Sequence, residues 1–576
     1  MNFSSYEPLL TPFAEKMDKE VPWRDYPRPS MVRESYITLN GAWDFAVTDG
    51  EAPREYSEKI LVPFPPESRL SGYFGEIPKG SKMFYRRKFT LPEGFNVGRV
   101  LLHLGACDTL CELFVNGDKV YANAGGYLPF TVDITDTLAD GENELIVRAT
   151  DDLDKVYPYG KQTSSRGGMW YTPVSGIWQS VWLESVPLRY VEKIKITPRR
   201  DRAIIEVIGG EDEKILTLDD GTVYKWHGAC FEIKPKTIIN WTPESPYLYS
   251  FTLQCGEDKI SSYFALREVK VDKVGGIARI LLNGEPYLFN GLLDQGYYPD
   301  GLFLPATSEG YEHDILTAKS LGFNMLRKHI KIEPEIFYYL CDKLGMAVFQ
   351  DMVNNSDYSF ILDTALPTVG FKNIPDKSRH KNPLSRRIFI EHALRTLEHL
   401  YSYPCIVYYT IFNEGWGQFS ADEVYEIIKE KEPERIIDAT SGWFVQKKSD
   451  VDSRHVYFKP VKLGRVSDRP IVISEFGGYS YRAKGHLFGD GNYGYRLFKS
   501  EGELENAFIK LYSEEISPLI PLGISALVYT QVSDIEDETN GVMTYDRRKL
   551  KLNPERIKPI MDGLFDSIKG ERTPKE

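Results

Sequence analysis

From residue 273 onward, short apolar, β-branched runs alternate with amphipathic stretches, and this alternation restricts the fold more than any other feature of the chain. Eight runs can be counted: Tyr287 to Gly291, Asn324 to Arg327, Met346 to Asp351, Ile406 to Phe412, Arg435 to Thr440, His455 to Phe458, Ile471 to Glu475 and Ile524 to Thr530. Between them, amphipathic patterning predicts helices over Glu309 to Leu321, Glu333 to Leu344 and Ser385 to Tyr401. Eight βα units in about 300 residues match a (β/α)8 TIM barrel. An open doubly wound sheet is the rival, but no glycine-rich phosphate fingerprint follows any run.

Ahead of residue 273 the texture differs. Residues 30 to about 185 read as short alternating strands, among them Phe84 to Phe89, Arg99 to Leu104, Leu110 to Val115 and Glu142 to Arg148. Asn116-Gly117 is a strong hairpin signal. This is the pattern of a β-sandwich. Residues 188 to 272 repeat it on an immunoglobulin-like scale, with Ser250 to Gln254 and Ala265 to Val271 as closing strands. A chain of 576 residues is too long for one core. The expected division is a jelly-roll-like sandwich over 1–187, an immunoglobulin-like sandwich over 188–272, and the barrel over 273–576.

A net charge of −13 argues against nucleic acid and anionic membrane surfaces as main partners. No run of 18 apolar residues occurs, so no membrane-spanning helix is expected. Met1 to Glu20 lacks a basic stretch followed by an apolar one, so no signal peptide is expected. The six cysteines include a CxxxC spacing at Cys107 and Cys111, but no second pair supports a zinc site. Free thiols in a reducing cytoplasm fit this pattern, with no metal. Aromatic residues are plentiful, with 36 Tyr and 9 Trp, and besides packing they can offer stacking faces to sugar rings.

The chemistry of such a barrel gathers at the carboxyl ends of its strands. Polar residues stand there after every run: Asp294 and Gln295, Arg327 and His329, Asp351 and Asn354, Asn413 and Glu414, Ser441 and Trp443, Tyr457, Glu475, and Gln531. A charge at the tip of a buried strand is costly unless it is paired or used. Glu414 and Glu475 end the fourth and seventh runs, which face each other across the mouth of a closed barrel. Each alone could be a salt-bridged structural carboxylate. Together they suggest a glycosidase pair, retaining at about 5–5.5 Å separation and inverting at about 6.5–9.5 Å. Asn413 places an amide beside Glu414 for a sugar hydroxyl. Tyr457 and Arg327 are candidates to keep Glu475 ionised. Trp416 and Trp443 are candidate sugar platforms.

Four strings carry a family resemblance: Asn413-Glu414-Gly415-Trp416; Ser474-Glu475-Phe476-Gly477; Gly322 to His329 followed by Tyr338 to Gly345; and Ser175-Gly176-Ile177-Trp178-Gln179-Ser180-Val181-Trp182. They resemble the signatures of glycoside hydrolase family 2, in that family's domain order, over residues 30 to 565. The resemblance implies Glu414 as acid/base, Glu475 as nucleophile, substrate contact by Asn413, and Tyr457 holding the nucleophile. It implies no obligatory cofactor, a small carbohydrate substrate, and a homo-oligomer such as a dimer or tetramer.

The chain departs from the family pattern where the sugar is read. Glu538-Thr539-Asn540-Gly541 stands where family β-glucuronidases carry Asn-x-Lys-Gly; Arg547, Arg548 and Lys549 follow and read as a solvated tail. Met169-Trp170-Tyr171 replaces a stretch that often holds a hydroxyl-binding aspartate, and Tyr529 replaces a tryptophan. Asp294-Gln295 stands where typical β-galactosidases show His-Glu, and His329 is offset by one from the family histidine. The expectation is a retaining exo-β-glycosidase, β-galactosidase-like. A β-glucuronidase or related uronidase is the alternative, and a non-catalytic carbohydrate-binding barrel the remote one.

Overall fold

The computed structural model describes residues 9–50, 52–371, 375–464 and 467–569. The first eight residues of the segment read as lacking a signal peptide lie outside the described residues.

The first sandwich packs a six-stranded antiparallel sheet against a four-stranded one. Strict alternation builds it. Glu142–Thr150 buries every second residue, and its partners Lys82–Thr90 and Leu110–Val115 add Tyr85 and Leu113 to the same core. Asn116 and Gly117 take φ of 51° and 92°, the left-handed pair that joins Leu110–Val115 to Asp118–Ala124. The second sandwich sets three strands, Val191–Pro198, Ala203–Gly209 and Cys230–Ile233, against four. The strand expected over Ala265 to Val271 begins later and runs Val269–Val274. It pairs with Ile277–Leu282, where Arg279 donates to the carbonyls of Ile520 and Ile524 beneath the barrel.

The barrel strands are β1 Phe289–Asp294, β2 Met325–Lys328, β3 Ala347–Asp351, β4 Ile406–Asn413, β5 Ile436–Ser441, β6 Asp452–Val456, β7 Ile471–Gly477 and β8 Ile524–Thr530. β1 to β5 and β8 are buried at every residue, as parallel strands covered on both faces must be. The helix Pro383–Leu400 starts where Asn382 accepts from the amides of Leu384 and Ser385, with proline in its first turn. The ring is not fully closed. Strand order runs β5-β4-β3-β2-β1-β8-β7-β6, so β5 and β6 share no backbone ladder. The expected eight-stranded (β/α)8 barrel is present, with its ladder open at this seam. β6 is short and polar, and only alternate residues of it are buried. Side chains span the gap: Ser441 Oγ lies 3.3 Å from Ser453 Oγ and 2.9 Å from His455 Nε2.

The long connection after Thr150 leaves the first sandwich and docks on the carboxyl end of the barrel. The Tyr159 amide donates to Asn354 O (3.1 Å), its hydroxyl to Ser356 O (2.8 Å), and Asn355 Nδ2 to Val156 O (2.8 Å). Gly160 has φ 64°, and a Cβ there would sit 2.9 Å from Ile330 O. Only glycine allows so close an approach.

Behind this connection Glu67 is buried and accepts from the Ser175 amide at 3.1 Å. Burial pushes its carboxyl from 4.5 up to about 8. The unfolded chain therefore ionises this group from about pH 4.5, while the folded protein keeps it protonated until about pH 8. Glu67 thus costs stability progressively across that window. Glu67→Gln is expected to stabilise the fold by up to about 3 kcal/mol at pH 7 and by almost nothing at pH 4. Denaturation midpoints of both proteins at the two pH values check this; an equal gain at each would contradict a neutral Glu67.

Candidate active site

β4 delivers Asn413 and then Glu414, which turns out of the strand with φ 51°. That sparsely populated conformation is held from both sides. The Glu414 amide donates to Ser441 O (2.9 Å), and Trp443 Nε1 donates to Glu414 O (3.0 Å). β7 delivers Glu475 through an irregularity: its pairing register shifts between Ile473 and Phe476 against β8, and β6 shifts opposite it. A bulge of this kind re-aims a side chain. Ser474 within it is held by Ser441 Oγ (3.0 Å) and Ser453 Oγ (2.7 Å).

The two carboxylates converge. Oxygens of Glu414 and Glu475 and a ring nitrogen of His455 all lie within 4.8 Å of one another. His455 Nδ1 is 2.7 Å from Glu414 Oε1, and Nε2 is 3.6 Å from Glu475 Oε1. The imidazole is fully buried between the two acids. Gly442 (φ 94°) makes room for it, since a Cβ there would fall 2.8 Å from Nδ1. These three groups are of a type that can ligate a divalent ion. Here the Arg327 guanidinium competes for Glu475.

Arg327 organises the floor. It is buried, and its donors reach Asp351 Oδ1 (Nε, 3.0 Å), Glu475 Oε1 (Nη1, 3.1 Å), Ser474 O (Nη1, 2.9 Å) and Asn413 Oδ1 (Nη2, 2.9 Å). Tyr457, just beyond β6, donates to Glu475 Oε2 at 2.6 Å and lies 2.9 Å from Thr530 Oγ1. Its ring stacks on Tyr495 with centroids 3.7 Å apart. Burial alone would push the Glu475 carboxyl up, but His455, Arg327, the Tyr457 hydroxyl and Lys161 together hold it below the usual carboxylate range. Asp351 behaves oppositely: burial outweighs Arg327 and raises it to about 6.

The remaining expected site residues divide. His329 Nδ1 is 2.9 Å from Gln295 Oε1, and its Nε2 lies 3.7 Å from Glu475 and 3.8 Å from Asp351 without a hydrogen bond. Gln531 donates to Asn540 Oδ1 and keeps a buried oxygen unpaired. Asp294 does not meet the glutamates; it pairs with Lys328 (2.6 Å), which also pairs with Glu333. Trp416 is 3% exposed and stands edge-on to Tyr159, Trp170 and Tyr358, so its ring is taken up by packing. Trp443 braces Glu414 through its indole nitrogen. The solvated tail is a correction: Arg547 is buried against Asp314 at 3.2 Å, because Asp314 supplies a partner far away in the chain. Glu538 accepts from the hydroxyl of Tyr171.

Sequence reasoning missed His455 and Lys161. His455 carried a signal, since it stands two positions before Tyr457 and extended chain puts such residues on one face. Lys161 carried none, because only docking of the sandwich connection brings it to the barrel.

Comparison with known proteins adds an independent line. The family model "Glycosyl hydrolases family 2, sugar binding domain" matches residues 76–187. A β-galactosidase of Aeromonas hydrophila is 26% identical over 394 residues, covering 62% of this chain and 36% of that protein. The chain spans less than half the length of the first curated relatives it matches. Among solved structures, a β-D-glucuronidase of Dictyoglomus thermophilum superposes with a TM-score of 0.73 at 18% identity, over 93% of this chain and 98% of that one. A β-galacturonidase of Eisenbergiella tayi bound to galacturonate gives 0.65 at 19% identity, over 96% of this chain and all of that one. The domain match over residues 76–187 is to glycoside hydrolase family 2, the relatives are similar to this chain in sequence, and the solved structures share its fold.

Proposed function

We propose that the chain is a retaining exo-β-glycosidase that releases terminal β-linked sugars from small glycosides or oligosaccharides. One observation carries this reading: two glutamates at the mouth of the barrel approach within 4.8 Å, and the environment of Glu475 favours its ionised form. That spacing suits direct attack and leaves no room for a water on the far face of the sugar. Glu475 attacks the anomeric carbon while Glu414 gives its proton to the leaving oxygen. A glycosyl ester on Glu475 results. Glu414, now a carboxylate, takes a proton from the water that attacks the same carbon, and Glu475 leaves as a carboxylate again. Asn413, aligned by Arg327, offers its amide to a sugar hydroxyl.

The relatives include β-galactosidases and the matched structures include uronidases, so the terminal sugar is a β-galactoside or a β-glycuronide. Among the described residues no helix is long and apolar enough to cross a membrane. Six free thiols, five of them buried, favour a reducing compartment such as the cytoplasm. A dimer or tetramer is carried by the family resemblance alone.

Proton NMR of the first product formed from an aryl β-glycoside tests the mechanism. The β-anomer is expected before mutarotation; an initial α-anomer rules out the double displacement.

A further inference from the structure

We propose that Lys161, brought from the first sandwich to the mouth of the barrel, is the specificity-determining cation of this site and selects a terminal sugar that bears a carboxylate. This rests on the glycosidase reading above and names its substrate class.

Placement comes first. Lys161 follows Gly160, whose missing side chain lets the connection press against Ile330 O, one residue after His329. The Tyr171 amide donates to Lys161 O at 3.1 Å, so the two arms of the connection are tied together at this point. Lys161 Nζ lies 5.9 Å from the ring centroid of Trp170. Trp170 in turn meets Tyr358 and Trp416, each with centroids 5.1 Å away, so the lysine stands beside an aromatic wall. The Tyr171 hydroxyl reaches on to Glu538. The charge of Lys161 is felt by Glu475, His329 and Glu538, which stand at the carboxyl ends of three different strands. This agrees with the placement that Gly160 and the Trp170 ring give it, beside the mouth of the barrel.

Its lack of a partner comes second. The buried cations of this end are taken: Arg327 by Asp351 and Glu475, Lys328 by Asp294 and Glu333, Arg547 by Asp314, Lys551 by Asp534. Lys161 is half-buried and makes no side-chain hydrogen bond or ion pair among the described residues. An ammonium held partly out of water without an anion costs free energy. A substrate carboxylate would supply the missing partner with a charge-assisted bond. His329 Nε2, buried without a hydrogen bond, is free to accept from a sugar hydroxyl, because the ring's proton sits on Nδ1 toward Gln295 Oε1. Glu538 faces the same space, and burial raises its carboxyl, which lessens repulsion of a second acid. Glu538-Thr539-Asn540-Gly541 itself provides no cation.

The bland rival is that Lys161 serves only as a distant counter-charge to Glu475 and Glu538. Steady-state kinetics of the wild type, Lys161→Met, Lys161→Arg and Glu475→Gln separate the two, using 4-nitrophenyl β-glucuronide, β-galacturonide, β-galactoside and β-glucoside. Calorimetry with free glucuronate, galacturonate, glucose and galactose reads binding without turnover. The wild type should prefer a glycuronide and bind the matching free acid more tightly than its neutral counterpart. Lys161→Met should lower kcat/KM on the glycuronide by about 10²-fold more than on neutral glycosides, with partial recovery in Lys161→Arg. Preference for a neutral glycoside, equal slowing of both classes, or free acids that bind no better than neutral sugars would overturn the proposal. Glu475→Gln isolates the underlying reading. If the wild type prefers a neutral glycoside and Glu475→Gln is dead on it, catalysis by Glu475 stands while the Lys161 proposal falls. If it keeps full activity on every substrate, the nucleophile assignment falls instead.

Discussion

Glu475→Gln is expected to lower turnover by at least about 10⁴-fold on every substrate, with the melting temperature almost unchanged. An amide cannot attack the anomeric carbon, yet it fills the same volume. Its oxygen can still accept from Arg327 Nη1, now 3.1 Å from Glu475 Oε1, and its NH2 can donate to the Tyr457 hydroxyl. The surrounding floor therefore survives the change. Mass spectrometry after incubation with a slow, fluorinated glycoside supplies the second readout: the wild type should carry the sugar on the peptide containing Glu475, and the variant should carry none. Label on any other carboxylate would move the nucleophile elsewhere.

Arg327→Met is expected to produce the largest loss of stability among single changes near the site, about 3–5 kcal/mol. Arg327 is 1% exposed and stands between Asp351 and Glu475. Removing it leaves two buried carboxylates facing each other without a cation, and also leaves Ser474 O and Asn413 Oδ1 without their donor. Lysine should not rescue it, because a point charge cannot replace a planar fork that meets four acceptors. The sign of the pH dependence follows. Asp351 already binds a proton up to about pH 6 with the guanidinium present, against 3.8 ordinarily. Without Arg327 both carboxyls hold protons to higher pH, so the penalty should be smaller at pH 5 than at pH 8. Urea denaturation of the barrel transition at the two pH values checks this, and a penalty that does not vary with pH would show that charge burial is not its cause.

Most of the barrel was legible because its strands are buried on both faces, which forces near-continuous β-branched runs. Ile524–Thr530 was bounded to the residue, as was Arg99–Leu104 in the first sandwich. β6 was displaced by about three residues because Asp-Ser-Arg-His-Val carries no such run. That displacement hid His455, whose burial between two acids is a tertiary fact. Glu414 and Glu475 stood out because a charge closing an apolar run has to be explained. Trp416 was misjudged because its identity does not tell which neighbours close over its ring. Arg547-Arg548-Lys549 misled through local charge: Arg547 finds Asp314 across 233 positions, and no local window contains that partner. Lys161 lay in a polar loop of one domain while its surroundings belong to another.

The seam between β5 and β6, which lacks a backbone ladder, ties the durability of the reacting geometry mainly to side chains. Backbone ladders elsewhere in the ring share their load over many bonds, but here Ser441, Ser453 and His455 are the clasp, and the same His455 touches Glu414. A cleft of about 530 Å³ opens beside it, lined in part by Gly442, Trp443 and His455. Heat or denaturant that loosens this clasp would part Glu414 from its brace before the rest of the ring lets go. Inactivation should therefore precede the loss of secondary structure on warming, and a bound sugar that engages both glutamates would act as a rivet across the joint.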